Sequence, residues 1–378
     1  MSEPPVDVLH LRACNFVGGP ERQLLRYAGY ERNGKVRVAL ATFVDHREGE
    51  GEALITAARA QDLEILELPG GGARDLAGLH RLIAFLRQRR VRLLCTHAYR
   101  ADLLGLWAAR RCGIPVAWFL RGWTGENAKI RLFERLDRAL LGRADCLVCL
   151  SHLQQQRVVG LGLEASRIEV VPNAVEAQGG SREEARARLR QRLGTAADAL
   201  LVGVAGRLSP EKGAADLLRA LALLPTLPQA VEFLIFGEGP ERRRLEEMIR
   251  ELGLTRARLA GFHADFPALA AGLDLLVNPS HREEMPNVVM EAMAAGVAVI
   301  ATEVGGVAEI AGAPPALRLV PVGDPARMAR ALAALLTDDA ARRALAASGQ
   351  LRILHAFSPQ RQCERLREFY ARLIPGLG

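Results

Sequence analysis

Cysteine is scarce in this sequence. Six cysteines are scattered over 378 residues, which is too few for the disulfide framework that stabilises small secreted domains. The closest pair lies in ADCLVCLS, and no second pair of matching spacing completes a metal site. We therefore expect reduced thiols that fill core positions, with neither a metal ion nor another cofactor.

Long apolar runs are also missing. No stretch reaches the roughly 18 apolar residues that a membrane-spanning helix requires, and the first residues, MSEPPVDVLHLRAC, enter a strand-like run without a basic leader or an apolar signal core. These features predict a cytoplasmic protein that does not cross a membrane by itself.

Lysine and aromatic residues are rare as well. Of 50 basic residues only Lys35, Lys129 and Lys212 are lysine, and aromatic residues make up 5% of the chain. A net charge of +7 suits nucleic acid, anionic lipid or phosphorylated substrates. Because no aromatic residues interleave with the basic runs, nucleic acid is the least favoured of these partners.

What the chain does contain is a repeated α/β pattern. Short β-branched or leucine-rich runs alternate with amphipathic segments, which is typical of parallel α/β layers. Strands are predicted in the first half near residues 6–13, 36–41, 93–97, 116–120, 146–150 and 168–171. Five more are predicted in the second half, at ALLVGVAGRL, VEFLIFGEG, ARLAGF, LDLLVNPS and VAVIATEVGG.

The length is too great for one hydrophobic core and indicates two domains with a cleft between them. We predict a Rossmann-like domain over residues 1–175 and a second over 199–360. A linker over 176–198, rich in Gly, Ser and charge, joins them. A final helix over 361–378 is expected to pack back on the first domain.

The segment SHREEMPNVVMEAMAAG, residues 280–296, places an acid inside an apolar helical run. Pro286 suits the first turn of a helix, where the amides of Asn287 and Val288 would lack partners and attract anions or hydroxyl oxygens. Glu291 lies one turn later on nearly the same face. A buried carboxylate needs either an arginine partner or ligand donors such as the hydroxyls of a ribose.

Two strand-to-helix turns are candidate phosphate sites. In GVAGRLSPEKGAADLL, Arg207 and Lys212 precede a predicted helix start, so both cations and the helix terminus can converge on one phosphate; two solvated surface cations are the alternative. In NFVGGPERQLL, Gly18 and Gly19 either admit a ligand close to the backbone or simply turn the chain.

A third turn, IFGEGPERRR, contains Gly237 and Gly239. A lone G-x-G without a third glycine at the dinucleotide spacing is a weak signal. Close packing of a strand against a helix explains this pair equally well, and the missing G-x-G-x-x-G disfavours a nicotinamide oxidoreductase.

Taken in order, the motifs GGPERQLL, VPNAVE, GRLSPEKG, IFGEGPERRRLE and LAGFHADFPALAAGLDLLVNPSHREEMPNVVMEAMAAGVAVIATEVGGVAEI resemble the retaining glycosyltransferases of family four. These enzymes have the GT-B architecture of two Rossmann-like domains. The resemblance spans nearly the whole chain and is most specific over residues 203–310.

The resemblance implies a role for each candidate residue. Glu283 and Glu291 match the E-x7-E pair, with Glu291 on the donor ribose and Glu283 beside the donor sugar. The resemblance also implies that the backbone of Met285, Pro286 and Asn287 contacts the donor sugar. Arg207 and Lys212 match the cations that neutralise the diphosphate, and Gly18 and Gly19 match the loop that faces the phosphates. The donor would be a UDP- or GDP-linked sugar, transferred with retention and without a metal.

Several positions depart from the family pattern. Glu284 replaces the usual glycine after the first acid, and Ala174 replaces the glycine of a PNG turn. Arg121 stands where many relatives have a histidine that contacts donor sugar or phosphate; an arginine can bind phosphate but cannot act as a base near neutral pH. His97, after another strand, is a weaker candidate for a position facing the cleft.

The acceptor is expected in the first domain and would be a glycan or a lipid-linked molecule of polysaccharide or glycoconjugate synthesis. Residues 1–172 contain 25 Arg and Lys against 19 Asp and Glu, a surplus of 6. The segment DLAGLHRLIAFLRQRRVR combines leucines with arginines and could touch anionic lipid at the inner face of a membrane, although an ordinary layer helix explains it as well. A sugar-nucleotide epimerase and a non-catalytic nucleotide-sugar sensor are the alternative functions.

Overall fold

The structure, a computed structural model, describes residues 4–32, 34–71, 74–122, 135, 138–176 and 179–377. The chain divides into two compact units. One comprises Met1–Asn173 together with Pro359–Gly378, and the other comprises Ala174–Ser358. Each unit is built on its own parallel β-sheet.

The first unit contains a seven-stranded sheet in the order β3-β2-β1-β4-β5-β6-β7. Its strands are β1 Val8–Arg12, β2 Val38–Val44, β3 Ile65–Pro69, β4 Leu93–His97, β5 Val116–Phe119, β6 Cys146–Cys149 and β7 Ile168–Val170. Its described helices include Gly19–Glu31, Glu52–Arg59, Arg74–Gln88, Tyr99–Cys112, His152–Val159 and Pro359–Leu373, with 3-10 turns at Leu141–Arg143 and Ala165–Arg167.

Central strands of this sheet are buried along nearly their whole length and are mostly apolar, as in parallel sheets with helices on both faces. All five residues of β4, LLCTH, are buried. The two cysteines of the C-x-x-C motif lie in β6, where Cys146 packs into the core on one face and Cys149 into the core on the other. The motif therefore fills two cores, as the sequence indicated.

The helix Arg74–Gln88, from the segment considered for lipid contact, uses its apolar face inside the protein. Leu82 and Leu86 are buried in the core of the first unit, and Leu79 and Ile83 pack against the same core. Since these side chains are already covered, the structure does not support lipid contact through this face. Among the described residues, no helix combines the length and the hydropathy needed to span a bilayer.

The last helix, Pro359–Leu373, belongs to the first unit. Cys363, Leu366, Phe369 and Tyr370 are buried against strand residues such as Val8. Arg367 pairs with the fully covered Glu31 carboxylate at 2.8 Å. Chain residues far apart in sequence thus complete one hydrophobic core.

The second unit contains a six-stranded parallel sheet in the order β10-β9-β8-β11-β12-β13. Its strands are β8 Leu200–Ala205, β9 Val231–Phe236, β10 Ala257–Gly261, β11 Leu275–Asn278, β12 Ala298–Thr302 and β13 Arg318–Val320. The helices are Arg182–Leu193, Ala214–Ala222, Arg242–Glu251, Phe266–Ala270, Asn287–Ala294, Val307–Ala311, Pro325–Thr337 and Asp339–Ala356, with a 3-10 turn at Pro210–Lys212.

The segment predicted as a linker, residues 176–198, contains the helix Arg182–Leu193. Ser181 caps its first turn by accepting a hydrogen bond from the Glu184 amide at 3.1 Å. Arg186 pairs with the buried Asp274 carboxylate at 2.7 Å. The basic residues of this segment therefore hold the helix Arg182–Leu193 against the second unit through the ion pair with Asp274.

The predicted fold class, two parallel α/β units, is confirmed, and all eleven predicted strands form. Two strands, β3 and β13, were not predicted. Both are edge strands of their sheets. An edge strand is covered less completely than a central one and needs no continuous apolar run. ILELP contains a glutamate and ends in proline, and RLV has three residues and begins with arginine. The other two edge strands, β7 and β10, were predicted.

Candidate functional site

The second sheet reverses its order of strand addition between β8 and β11. From β8 the chain adds β9 and β10 on one side, and then β11, β12 and β13 on the other. In open parallel sheets, ligands bind outside the carboxyl ends of the strands at such a switch point. The loops that follow β8 and β11 contain most of the predicted donor-site residues.

These two loops meet through an ion pair. Lys212, at the end of the 3-10 turn after β8, places Nζ 2.8 Å from Oε1 of Glu283, which follows β11. Side-chain exposure is 31% for Lys212 and 10% for Glu283. The sequence-predicted cation and acid are therefore in direct contact.

Glu283 receives a second hydrogen bond, from Ser280. The Ser280 hydroxyl lies 2.8 Å from Oε1 of Glu283, and the Thr302 hydroxyl at the end of β12 donates to the Ser280 carbonyl. Asn278, whose Oδ1 lies 3.1 Å from the Ser280 hydroxyl, is 4% exposed. This polar chain fixes the loop that carries Glu283.

Two glycines with left-handed backbone bring neighbouring loops against the same segment. At Gly213 (φ +67°), a Cβ would lie 2.1 Å from the Pro279 carbonyl oxygen, and at Gly305 (φ +53°) it would lie 1.7 Å from the Glu283 carbonyl oxygen. The Gly306 amide also donates to the Glu284 carbonyl at 2.8 Å. Larger residues at these glycines would push the acid-bearing loop away.

The glycines of IFGEG have a packing role. A Cβ on Gly237 would lie 1.8 Å from the Gly206 carbonyl oxygen, and a Cβ on Gly239 would lie 2.3 Å from the Leu208 carbonyl oxygen. The turn after β9 thus abuts the turn after β8. These distances agree with the interpretation that the two glycines of the G-x-G allow close packing, rather than with a dinucleotide motif.

The helix after β11 begins one residue later than the sequence indicated. It spans Asn287–Ala294, and Pro286 occupies the N-cap with extended backbone. Met285 and Pro286 are buried, whereas Asn287 is partly exposed. Glu291 lies within the helix and is 5% exposed, which confirms that this acid is buried among apolar neighbours.

Arg207 and the start of the helix Ala214–Ala222 lie at the same edge of the sheet, after β8. Arg207 lies two residues beyond β8 and is exposed. The helix Ala214–Ala222 begins directly after the Lys212 turn, with Gly213 as its N-cap. A second pair that sequence reasoning missed, His281 with Asp216 at 2.6 Å, ties this helix to the loop after β11.

In the first unit, a glutamate occupies the helix start near the predicted glycine loop. Glu21 accepts a hydrogen bond from the Gly18 amide at 2.9 Å and from Nε of Arg12 at 2.7 Å. The helix itself begins at Gly19, with Gly18 as its N-cap. The predicted phosphate-facing loop is thus held by a carboxylate and a guanidinium of the same unit.

Arg121 follows β5, and one of its terminal nitrogens donates to Asn173 Oδ1 at 3.2 Å. Burial, followed by the nearby Arg12 charge, lowers the pKa of Arg121 to about 10. The side chain remains a cation at neutral pH, so it can contact an anion but cannot accept a proton.

His97 lies in the interior of the first unit. It is 2% exposed, and its Nε2 lies 2.9 Å from Nδ1 of His10. The other His10 nitrogen lies 3.1 Å from the Tyr370 hydroxyl on the last helix. The structure therefore gives His97 a place in a buried polar chain rather than the cleft-facing position considered from sequence.

Comparison with known proteins identifies the family of this chain. Residues 18–174 match the family described as Glycosyl transferase 4-like domain, and residues 199–338 match Glycosyl transferases group 1. The chain is 31% identical over 277 residues to the lipopolysaccharide core biosynthesis glycosyltransferase LpsE of Rhizobium meliloti, covering 73% of this chain and 76% of LpsE. The chain belongs to the family-four glycosyltransferases.

Two further relatives of this glycosyltransferase extend the comparison. This chain is 31% identical over 255 residues to a 2-deoxystreptamine glucosyltransferase of Streptomyces kanamyceticus, and the match covers 64% of this chain and 66% of that relative. The crystal structure of Anabaena HepE in complex with UDP-glucose has the same fold, with a TM-score of 0.83, 24% identity and coverage of 97% of this chain and 100% of HepE.

Some residues of the glycosyltransferase site were missed from sequence. Ser280 and Thr302 give no motif signal of their own. Ser280 bonds an acid three residues later in its own loop, and Thr302 bonds the backbone carbonyl of Ser280 from the neighbouring strand end. Gly305 was visible only as part of a strand-end VGG. Its importance comes from the approach of the Glu283 carbonyl, which no local pattern encodes.

Proposed function

We propose that this glycosyltransferase moves a sugar from a nucleoside diphosphate sugar, with UDP as the favoured nucleotide, to a hydroxyl group of an acceptor and retains the anomeric configuration. The observation that carries the proposal is the Lys212–Glu283 pair at the switch point of the second sheet. HepE, which has the same fold, was solved with UDP-glucose, and this supports the choice of nucleotide.

The main chemical difficulty of the reaction is charge on the leaving group. As the bond between the anomeric carbon and the phosphate oxygen breaks, the departing diphosphate gains negative charge that fixed cations stabilise. An ammonium has three donor protons, and Lys212 gives one to Glu283 while 31% of its side chain faces solvent. Together with the exposed Arg207 and the helix start at Ala214, Lys212 would bind the diphosphate.

Glu283 would position both the lysine and the donor sugar. In the proposed reaction, the acceptor oxygen bonds to the anomeric carbon on the face that the diphosphate leaves. The acceptor proton passes to the departing phosphate oxygen, and a nucleoside diphosphate and a glycoside are the products. The side chain of Glu283 would stabilise positive charge on the sugar and form no covalent bond to it.

The other predicted residues would hold the rest of the donor. Glu291 would accept hydrogen bonds from the ribose hydroxyls, and the backbone of Met285, Pro286 and Asn287 would contact the sugar. In the first unit, Arg121 and the Gly18–Gly19 loop are proposed to contact phosphate. The cationic state of Arg121 at neutral pH suits that role.

The first test is thermal stability in EDTA with UDP, GDP, ADP or NAD. A ligand at 100 times its dissociation constant stabilises the native state by about 2.7 kcal/mol. We expect UDP to raise the melting temperature of the wild-type protein and of Lys35→Ala, in which an exposed lysine of the first unit is removed. Lys212→Ala should lose this stabilisation.

The outcomes separate the proposal from its alternatives. Stabilisation by NAD alone, or by none of the nucleotides, would contradict a nucleoside diphosphate site. A donor that is isomerised when no acceptor is present would indicate an epimerase. A donor that binds but is neither transferred to any acceptor nor hydrolysed would indicate a sensor.

A further inference from the structure

A large cavity lies in the first unit, lined by residues other than the candidate site residues discussed above. Its volume is about 770 Å³, within the range of small-molecule sites. Residues that follow β1, β2, β3 and β4 line it. In this sheet, β1 is followed by β2 and β3 on one side and by β4 on the other, so the cavity opens at the switch point where ligands of such sheets bind.

The polar wall of this cavity is mostly anionic. Tyr99, Leu103 and Leu104 form an apolar and aromatic side, and Arg100 is the one cation among its described lining residues. Against it stand four carboxylates, those of Asp45, Glu48, Glu50 and Asp75. The net charge of this lining is negative, whereas residues 1–172 as a whole have a surplus of 6 basic groups.

Part of this wall is a fixed network around Arg100. Its guanidinium pairs with Glu50 at 2.5 Å and with Asp75 at 2.5 Å and stacks over the Phe43 ring at 4.5 Å. The Glu50 side chain is 12% exposed. One cation thus pairs with two carboxylates, and these contacts hold this part of the wall in place.

The other two carboxylates are not neutralised by described residues. Asp45 accepts a hydrogen bond from the Arg47 amide at 3.1 Å, and neither Asp45 nor Glu48 forms an ion pair within the described part of the chain. Asp45 is partly buried and lies against Gly71, where a Cβ would be 2.1 Å from its Oδ2. Glu48 is exposed at the rim.

We propose that this cavity binds the acceptor and that the acceptor carries protonated amines, as an amino sugar or an aminocyclitol does. This assignment rests on the proposed glycosyl transfer. Asp45 and Glu48 supply negative charge for ammonium groups, the Arg100 network accepts hydroxyl hydrogen bonds, and Tyr99 offers an aromatic face to the apolar side of a ring. A phosphate-bearing acceptor of the same size is disfavoured because it would meet net negative charge.

The test measures binding of three cyclitols of similar size by calorimetry. They are 2-deoxystreptamine with two protonated amines, its neutral di-N-acetyl derivative, and anionic inositol 1-phosphate. We expect the diamine to bind about tenfold more tightly than the other two at low salt, an advantage of about 1.4 kcal/mol. The advantage should shrink when salt shortens the Debye length from about 30 Å to about 8 Å.

Variants at the rim provide the decisive comparison. Glu48→Gln should weaken diamine binding about threefold and Glu48→Lys about tenfold, with a gain in inositol 1-phosphate binding for the lysine variant. Asp62→Asn, which removes an exposed carboxylate that does not line the cavity, should bind like wild type. Glu48 is exposed and has no described side-chain partner, so these variants should fold.

Two results would overturn the assignment: equal or absent binding of the three cyclitols, or diamine binding that neither Glu48 variant changes. UDP stabilisation is measured on the same samples. If UDP binds normally while the diamine shows no preference, only the acceptor class is wrong. If the diamine prefers the cavity while no nucleotide binds, the proposed transfer itself fails.

Discussion

Lys212 Nζ lies 2.8 Å from Glu283 Oε1, so the loops that follow β8 and β11 are joined at the switch point of the second sheet. The pair holds the ammonium in place before a donor arrives. A cation positioned in advance stabilises a developing negative charge without reorganisation during the reaction. In the proposed mechanism, a substitution of Glu283 would therefore affect both the donor sugar and the position of Lys212.

The first prediction concerns Glu283→Gln. The amide keeps the size of the side chain but removes the negative charge that would stabilise the sugar, so we expect transfer to fall about 100-fold or more. UDP binding should change much less, because Lys212 remains. Initial rates with saturating donor measure the loss of transfer, and the UDP dissociation constant measures the smaller change in nucleotide binding.

Glu303→Gln is the matched control, since Glu303 is an exposed acid in the loop after β12. It should transfer sugar at the wild-type rate. Full transfer rates in Glu283→Gln would show that the assigned role is wrong.

The second prediction concerns Gly305→Ala. The backbone at Gly305 is left-handed, and the new Cβ would lie 1.7 Å from the Glu283 carbonyl oxygen, so the loop must shift. Gly323→Ala has the same backbone strain (φ +66°) with nothing within 4 Å of the new Cβ. Left-handed strain alone costs about 1 kcal/mol, and the shift should add to it.

Melting temperatures and transfer rates of both variants test this expectation. Gly305→Ala should be the less stable of the two and should lose activity, while Gly323→Ala should stay active. Equal stability and equal activity would contradict a positioning role for Gly305.

The third prediction concerns pH. Burial, followed by the charge of Arg121, lowers the pKa of His10 to about 3, and burial and the same arginine lower the pKa of His97 well below its ordinary value. In the unfolded chain each histidine titrates near 6.5. The stability that these histidines contribute is therefore fully present above about pH 6.5 and is lost as the pH falls.

For His10 the loss between pH 6.5 and 5 should be about 2 kcal/mol. Unfolding of the wild-type protein, His10→Gln and His80→Gln at both pH values measures it. His80 is exposed, so His80→Gln should keep the wild-type pH dependence. In His10→Gln, the drop in the free energy of unfolding between pH 6.5 and pH 5 should be smaller by about 2 kcal/mol. Identical pH dependence in all three proteins would rule out the buried neutral His10.

Much of the fold follows from local pattern. Central strands such as β8, LLVGVA, have continuous apolar runs because both faces of the sheet are covered, and such runs are visible without a structure. Edge strands lack that requirement and give a weaker signal: of the four edge strands, β7 and β10 were predicted and β3 and β13 were not. A charged helix was expected in the segment assigned to the linker, and it is Arg182–Leu193. Its place on the second unit depends on the buried acid Asp274 far along the chain.

The candidate donor residues were also visible in sequence: Arg207, Lys212 and Glu283 follow strand ends, and Glu291 is an acid inside an apolar helical run. Their partners were not. The contact of Lys212 with Glu283, the approach of Gly305 to the Glu283 carbonyl and the burial of His97 against His10 each join segments far apart along the chain.

By itself, the sequence determined the class of fold, its two-unit organisation and the positions of the charged residues at the strand ends, because these depend on the periodicity and chemistry of short segments. Only the tertiary structure decided which charges neutralise each other and which remain available. Residues 1–172 are basic in total, yet four carboxylates surround their cavity. Net charge sums over a surface, whereas binding depends on the few groups that folding brings together.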